Sequence, residues 1–161
     1  MIEYIKHINI FSDLDDGEIK LLVNYCSFLT LEEDEIIFKV GDEGHELYII
    51  IEGLIRGFIQ LPSGAERDVA HIGPGDFVGE IALFDKVPRS ATCVALERSV
   101  VLHLTDEKFN ELVNIYPEIA NKIMYRMLNI TIGRFRETST FLADIVQWGE
   151  KARKRTITDD L

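Results

Sequence analysis

The sequence predicts a mainly β domain, folded as an antiparallel sandwich or barrel, with helices before and after it. Short apolar runs fill positions 31–104, and glycines separate them at close intervals, a spacing typical of antiparallel sheets joined by tight turns. Positions 1–30 and 105–155 instead show apolar residues at helical spacing. We expect a single domain over 1–161, because globular domains commonly hold about 150 residues.

The N-terminal section, 1–30, is predicted to consist of helices. Asp15 and Asp16 stand where a carboxylate can accept hydrogen bonds from the free N–H groups that open a helix. The apolar positions of this section are Ile5, Ile8, Ile10, Ile19, Leu22 and Val23.

The β section, 31–104, contains a series of apolar runs that we expect to form strands. Turns are expected at Gly41, Gly53 and Gly75, since glycine adopts the backbone conformations that tight turns require. The runs lie at 36–38, 47–51, 54–59, 69–72, 91–96 and 99–104.

The C-terminal section, 105–155, is predicted to contain two helices. Thr105 suits the N-cap of the first helix. Pro117 suits the opening position of the second, where the missing N–H of proline costs no hydrogen bond. The second helix carries a stripe with heptad spacing, which we call the heptad seam. It consists of Met124, Leu128, Thr131, Phe135, Thr138, Leu142 and Ile145.

A heptad seam is typical of two helices that pair along their length. We favour a homodimer in which the helix after Pro117 pairs with its own copy. The alternative is that the seam packs on the β section of the same chain. Thr131 and Thr138 make the seam less apolar than a simple zipper, and they suit a polar neighbour.

The charge balance limits the partners of the chain. Lys and Arg number 17 against 28 Asp and Glu, a net charge of −11, and this acidic balance argues against nucleic acid as a partner. A membrane-spanning helix needs about 20 apolar residues, and every apolar run here is much shorter. No signal peptide is visible. We therefore expect a cytoplasmic protein without a membrane partner. Cys26 and Cys93 are expected to be reduced core thiols.

The sequence offers few groups for catalysis. The four histidines are widely separated, so they predict no metal site. A P-loop, a dinucleotide-binding fingerprint and a nucleophile motif are absent from the sequence. We therefore predict a binding protein rather than an enzyme, with no metal or cofactor.

The segment 77–92 carries the binding chemistry. Gly79 and Glu80 lead into a short helix-like turn, whose free N–H groups favour an anion. Arg89 follows nine residues after Glu80, and a guanidinium is a natural fork for phosphate. The Glu80 carboxylate can accept a hydrogen bond from a sugar hydroxyl, or it can hold Arg89 in place. The pattern suits a ligand with one phosphate and one free ribose hydroxyl.

Two stretches of this segment resemble the phosphate-binding cassette of the cyclic nucleotide-binding domain family. They are Phe77-Val78-Gly79-Glu80-Ile81-Ala82-Leu83 and Pro88-Arg89-Ser90-Ala91-Thr92. The resemblance extends over about 1–145. It implies an antiparallel β-roll, a double-stranded jelly roll, with N-terminal helices and a long C-terminal helix.

The resemblance also implies roles for individual residues. Glu80 would hold the ribose 2′-hydroxyl, Arg89 would pair with the cyclic phosphate, and backbone N–H groups of Ala82 and Ser90 would complete the phosphate site. Thr131 would contact the base, although the serine that follows it in the family is Ile132 here. The expected ligand-binding set is Gly79, Glu80, Ile81, Ala82, Arg89, Ser90, Ala91 and Thr131.

The favoured function is a stand-alone sensor that binds cyclic AMP and relays occupancy through its C-terminal helix to an effector protein. Cyclic GMP stays open as the ligand, since a hydroxyl such as that of Ser90 serves guanine in related domains. The alternative is the ligand domain of a catabolite-activator-like transcription regulator that lacks its helix-turn-helix part. The sequence leaves little room for such a part after Trp148, and the basic run at 151–155 is typical of a solvated helix end.

Overall fold

The computed structural model describes residues 5–85 and 87–159. The chain divides into two compact units, Met1–Arg126 and Met127–Leu161. The first unit carries all the strands of the described residues, and the second is the continuation of the long C-terminal helix.

The first unit contains two four-stranded sheets. Their orders are β1-β8-β3-β6 and β2-β7-β4-β5, and all the strand pairs are antiparallel, as the sequence predicts. The strands are β1 Ser27–Leu31, β2 Ile36–Phe38, β3 Glu46–Glu52, β4 Ile55–Gln60, β5 Glu66–Ile72, β6 Phe77–Val78, β7 Thr92–Ala95 and β8 Ser99–Thr105.

The first strand begins earlier than the sequence predicts. Residues 27–30 were expected in the helical section, but they form most of β1, whose residues pair with His103 to Ser99 of β8. Pairing with a neighbouring strand decides the structure here, since short segments follow their tertiary partners more than their own propensity.

The core lies where side chains of both sheets meet. Ile50 on β3, Ile55 on β4 and Val101 on β8 have no exposed surface. This packing fixes β3 and, through the pairs Tyr48–Val78 and Ile49–Phe77, the short strand β6. The buried cluster consists of Leu31, Ile50, Ile55, Ile72, Val78, Cys93, Ala95 and Val101.

Helices flank the strands in sequence. A 3-10 helix, Asn9–Phe11, precedes α1, Asp16–Val23, and the later helices are α2, Ile81–Phe84, α3, Asp106–Ile115, and α4, Pro117–Asp159. The expected helix starts are confirmed. Asp15 forms a capping box with Glu18, Thr105 Oγ1 accepts a hydrogen bond from the N–H of Lys108, and Pro117 opens α4.

Two ion pairs join the N-terminal section to the start of α4 within the first unit. Lys122 Nζ donates to Glu18 Oε1 at 2.7 Å, and Arg126 donates to the Asp13 carboxylate. The hydrogen bond from Arg126 lowers the pKa of Asp13. These contacts attach the first turns of α4 to the N-terminal section within the first unit.

Both cysteines carry free thiols. Cys93 is buried in the core, and burial raises the pKa of the Cys26 thiol to about 12. A thiol with so high a pKa is a poor nucleophile at neutral pH. Among the described residues, none of the helices is long and apolar enough to cross a membrane.

The second unit exposes the apolar residues of the heptad seam. The exposed fractions are 57% for Leu128, 71% for Phe135, 56% for Leu142 and 44% for Ile145. The Thr138 hydroxyl has a hydrogen-bond partner within the helix, since Oγ1 donates to the carbonyl of Arg134 at 2.9 Å. The unit therefore presents a solvent-facing apolar stripe.

Candidate functional site

The site begins where β6 ends. Gly79 has a φ of +82°, in the left-handed region that favours glycine. A Cβ at this position would overlap Arg89 Nη1 and lie 2.6 Å from the carbonyl oxygen of Glu46. Glycine is therefore required both for the turn and for the close approach of Arg89 to the strand end.

Arg89 is the centre of the site. Its side chain is only 4% exposed. Nη1 donates to the carbonyls of Glu46, at 3.0 Å, and Gly79, at 3.2 Å. Nη2 donates to Glu46 Oε2 at 2.9 Å. These contacts hold the guanidinium between the start of β3 and the turn after β6.

The guanidinium is also enclosed by two groups that do not accept hydrogen bonds from it. Its Cζ lies 4.2 Å from the centre of the Phe38 ring, a cation–π arrangement. Gly44 is buried against it, and a Cβ there would overlap the guanidinium. Among the described residues, Arg89 Nε is the buried side-chain polar atom that has no hydrogen-bond partner.

Backbone hydrogen bonds tie Arg89 to the loop between β2 and β3. Its N–H donates to the carbonyl of Asp42, and its carbonyl accepts from the N–H of Gly41, each at 2.8 Å. Thr92 Oγ1 accepts from the N–H of Val40 at 3.0 Å. The loop therefore positions the second half of the cassette, including the arginine.

The structure brings only part of the predicted ligand-binding set together. Gly79 and Arg89 are hydrogen-bonded to each other, and Glu80 follows Gly79 directly. Ile81 and Ala82 form the first turn of α2, where Glu80 occupies the N-cap position. This short helix confirms the helix-like turn that the sequence predicts.

The other members of the set lie further along the chain. Ser90 is exposed and Ala91 half-buried, in the segment that leads into β7. Thr131 is exposed on α4, in the second unit. The expected contact of Thr131 with a base therefore stays a prediction.

The alternative in which Glu80 holds Arg89 in place is wrong. The carboxylate bound to Arg89 belongs to Glu46, forty-three residues before it in the chain. The Glu80 side chain makes no hydrogen bond or ion pair with the residues that the structure describes. Its carboxylate is thus available for a ligand.

Sequence reasoning missed Phe38, Gly44 and Glu46. Each lies at or near an end of β2 or β3. Their contact with Arg89 is known only once the strands are paired. The one available signal was Gly44 itself, a glycine two residues before a strand that starts with a carboxylate.

A phenol and a cavity lie close to the Arg89–Glu46 pair. Burial, and after it the Glu46 carboxylate, raise the pKa of the Tyr48 phenol. A cavity of about 210 Å³ adjoins the site and is lined by Glu43, Gly44, His45, Val87 and Pro88. The described residues contain no group of His, Cys, Asp or Glu side chains arranged to hold a metal ion.

Comparisons with known proteins agree with this geometry. The family model "Cyclic nucleotide-binding domain" matches residues 28–116, so the chain belongs to the cyclic nucleotide-binding domain family. The match covers both sheets and the whole cassette.

Two curated relatives come from different branches of this family. The "Cyclic AMP receptor protein" of Thermus thermophilus is 32% identical over 146 residues, which cover 91% of this chain and 65% of that protein. The "cAMP-dependent protein kinase regulatory subunit" of Dictyostelium discoideum is 28% identical over 113 residues, which cover 68% of this chain and 35% of that protein. The chain thus spans less than two thirds of the length of either relative.

A solved structure shows the same fold. The cyclic nucleotide-binding domain from Methylobacillus flagellatus matches with a TM-score of 0.76 and 29% identity, covering 84% of this chain and 76% of that one. The chain is therefore a cyclic nucleotide-binding domain with the β-roll fold, related to receptor-type regulators and to kinase regulatory subunits.

We expect Gly79→Ala to destabilise the protein more than Gly64→Ala does. Both glycines have a left-handed φ, +82° and +84°, so each substitution costs about 1–2 kcal/mol in backbone strain. A Cβ at Gly64 has no heavy atom within 4 Å, whereas a Cβ at Gly79 overlaps Arg89 and the Glu46 carbonyl. The overlap should add about 1–3 kcal/mol.

Urea unfolding of both variants measures the difference. Equal free energies of unfolding would contradict the close packing of Gly79 against Arg89 and Glu46.

Proposed function

We propose that this chain is a cyclic-nucleotide sensor that binds cyclic AMP at Arg89. The observation that carries the proposal is the buried guanidinium, whose Nε–H has no acceptor among the described residues. A buried donor without a partner costs free energy, and a ligand oxygen that accepts this hydrogen bond recovers it.

The remaining donors of Arg89 suit a phosphate. Nη1 is committed to two backbone carbonyls and Nη2 makes one bond to Glu46, which leaves the Nε–H and the second N–H of Nη2. The Nε–H and one of the two N–H groups of Nη2 share an edge of a guanidinium, and this edge matches two oxygens of a phosphate. The expected backbone donors, Ala82 and Ser90, come from the same cassette.

The residue after Gly79 suits the sugar. Glu80 follows the Gly79 carbonyl that Arg89 Nη1 binds, and its carboxylate makes no hydrogen bond or ion pair with the described residues. A carboxylate accepts hydrogen bonds from hydroxyl groups, so Glu80 is the residue proposed to bind the ribose 2′-hydroxyl. Cyclic GMP is the second candidate ligand, because Ser90 stands next to Arg89 and offers a hydroxyl.

The proposed output passes through α4. We place a homodimer contact along the heptad seam, because its apolar side chains are exposed in the second unit. A cytoplasmic effector protein would then respond to ligand-dependent changes in this helix. Gly133 is the expected point of flexibility, since glycine is a poor helix former and a Cβ there would meet no heavy atom within 4 Å.

A second candidate function is the ligand domain of a transcription regulator of the catabolite-activator type. The observation that favours it is the similarity to a cyclic AMP receptor protein over 91% of this chain. In that case the effector would be a DNA-binding domain on the same polypeptide.

We expect Arg89→Ala to weaken cyclic AMP binding by about 30- to 900-fold, or about 2–4 kcal/mol, because a charge-assisted phosphate contact is lost from a buried site. Arg98→Ala is the matched control, since the side chain of Arg98 is 66% exposed and lies 3.9 Å from Glu32. Calorimetry with cyclic AMP, cyclic GMP and AMP gives the affinities. Equal affinity of Arg89→Ala and the unmodified protein would overturn the assignment.

Glu80→Ala should remove the preference for a ribose ligand over its 2′-deoxyribose analogue. The unmodified protein should bind cyclic AMP more tightly than 2′-deoxy cyclic AMP, while the variant should bind both equally. The paired titrations isolate the contact, because each ligand serves as the reference for the other. A preference that survives in Glu80→Ala would assign the ribose contact to another residue.

Leu128→Glu combined with Leu142→Glu should convert a dimer into a folded monomer, since each carboxylate would be buried against its copy. Thr140→Glu with Ala143→Glu is the control, because these exposed positions lie off the heptad seam on the same helix. Sedimentation measures the oligomeric state. An unmodified protein that is monomeric at high micromolar concentration would contradict the dimer.

A further inference from the structure

We propose that Glu46 is a built-in competitor of the ligand phosphate at Arg89. This inference rests on the proposed function and assigns the regulation of the same site. The Glu46 carboxylate accepts a hydrogen bond from Nη2 of the guanidinium at 2.9 Å, while the Nε–H of the same guanidinium has no partner among the described residues.

Glu46 plays two separable parts in holding Arg89. Its backbone carbonyl accepts from Nη1 at 3.0 Å, and β3 fixes the position of this carbonyl through pairing with β8. Its carboxylate accepts from Nη2, and Oε2 also accepts from the N–H of His45 at 3.2 Å. A change of the side chain alone therefore leaves the Nη1 anchors, Glu46 and Gly79, in place.

The carboxylate and a phosphate would lie close together. Two acceptors bound to N–H groups of one guanidinium nitrogen are about 5 Å apart, given ordinary hydrogen-bond lengths. At this distance two negative charges repel strongly in a partly buried site. The Glu46 side chain is 33% exposed, so solvent screens part of the repulsion without removing it.

The Glu46 carboxylate lowers the affinity of the site for anions that contact Arg89 alone. In the absence of ligand it neutralises a buried cation, which would otherwise be costly to bury. A phosphate at Arg89 weakens the Arg89–Glu46 ion pair, and other contacts of the ligand must offset this cost. A ligand whose ribose hydroxyl binds Glu80 has such a contact. A small inorganic anion lacks it, so Glu46 favours the larger ligand.

The test compares Glu46→Gln with Glu52→Gln. Glutamine keeps the shape of Glu46 and an oxygen that can accept from Nη2, but it removes the charge. Glu52 is an exposed glutamate at the other end of β3, so its substitution controls for a change in net charge. Glu46→Asp, which keeps the charge in a shorter side chain, controls for shape.

We expect Glu46→Gln to bind cyclic AMP at least about tenfold more tightly than the unmodified protein in 20 mM NaCl, with a smaller gain in 500 mM NaCl, because salt screens a charge effect. Glu52→Gln should stay within about threefold of the unmodified protein, and Glu46→Asp, which keeps the charge, should gain less affinity than Glu46→Gln. Calorimetry supplies the affinities, and urea unfolding shows that each variant is folded.

The outcomes separate the inference from the proposed function. Binding by Glu46→Gln that is equal to or weaker than that of the unmodified protein would overturn the inference and leave the function intact. An equal gain in Glu46→Asp would also overturn it, since the effect would then come from shape. An absence of cyclic AMP binding in all variants would overturn the proposed function and the inference with it.

Discussion

The burial of the Arg89 guanidinium is the constraint around which the site is built. A buried cation needs a counter-ion and acceptors for its N–H groups. Glu46 supplies a carboxylate and a carbonyl, Gly79 supplies a second carbonyl, and Phe38 supplies an aromatic face. One buried edge, at Nε, is left without a partner among the described residues.

The fold supplies these groups from separate parts of the first unit. β3 brings Glu46, the end of β6 brings Gly79, and the loop after β2 holds the backbone of Arg89 through Asp42 and Gly41. The buried cluster includes Ile50 of β3 and Val78 of β6, so it packs these two strands together. Arg89 is therefore bonded to the loop after β2, to the start of β3 and to the turn that precedes α2. A ligand that moves the Arg89 side chain would disturb all three segments.

Much of the fold could be predicted from the sequence because its signals are local. The cap at Asp15, the cap at Thr105 and the start at Pro117 each depend on a few neighbouring residues, and the structure has all three. The start of β1 was misplaced because its pairing partner, β8, lies about seventy residues away. Helical spacing alone does not reveal such a partner.

The proximity of Gly79 and Arg89 could be predicted for the same reason. Gly79, Glu80 and Arg89 belong to one continuous cassette, so their spacing is visible in the sequence. Glu46 and Gly44 reach Arg89 only through strand pairing, so sequence inspection assigned the arginine's carboxylate partner, if any, to Glu80. The division of the chain at Arg126 likewise depends on packing density, which composition does not show.

The unpaired Nε–H of Arg89 offers the most direct test of cyclic AMP binding at this guanidinium. A ¹⁵N NMR spectrum of the arginine Nε–H groups, with the Arg89 signal assigned by its loss in Arg89→Lys, follows this group during a cyclic AMP titration. We expect a shifted Arg89 signal with slower solvent exchange at saturation, while the signal of exposed Arg98 stays in place. An Arg89 signal that is unchanged when cyclic AMP is bound would show that the ligand does not reach the guanidinium.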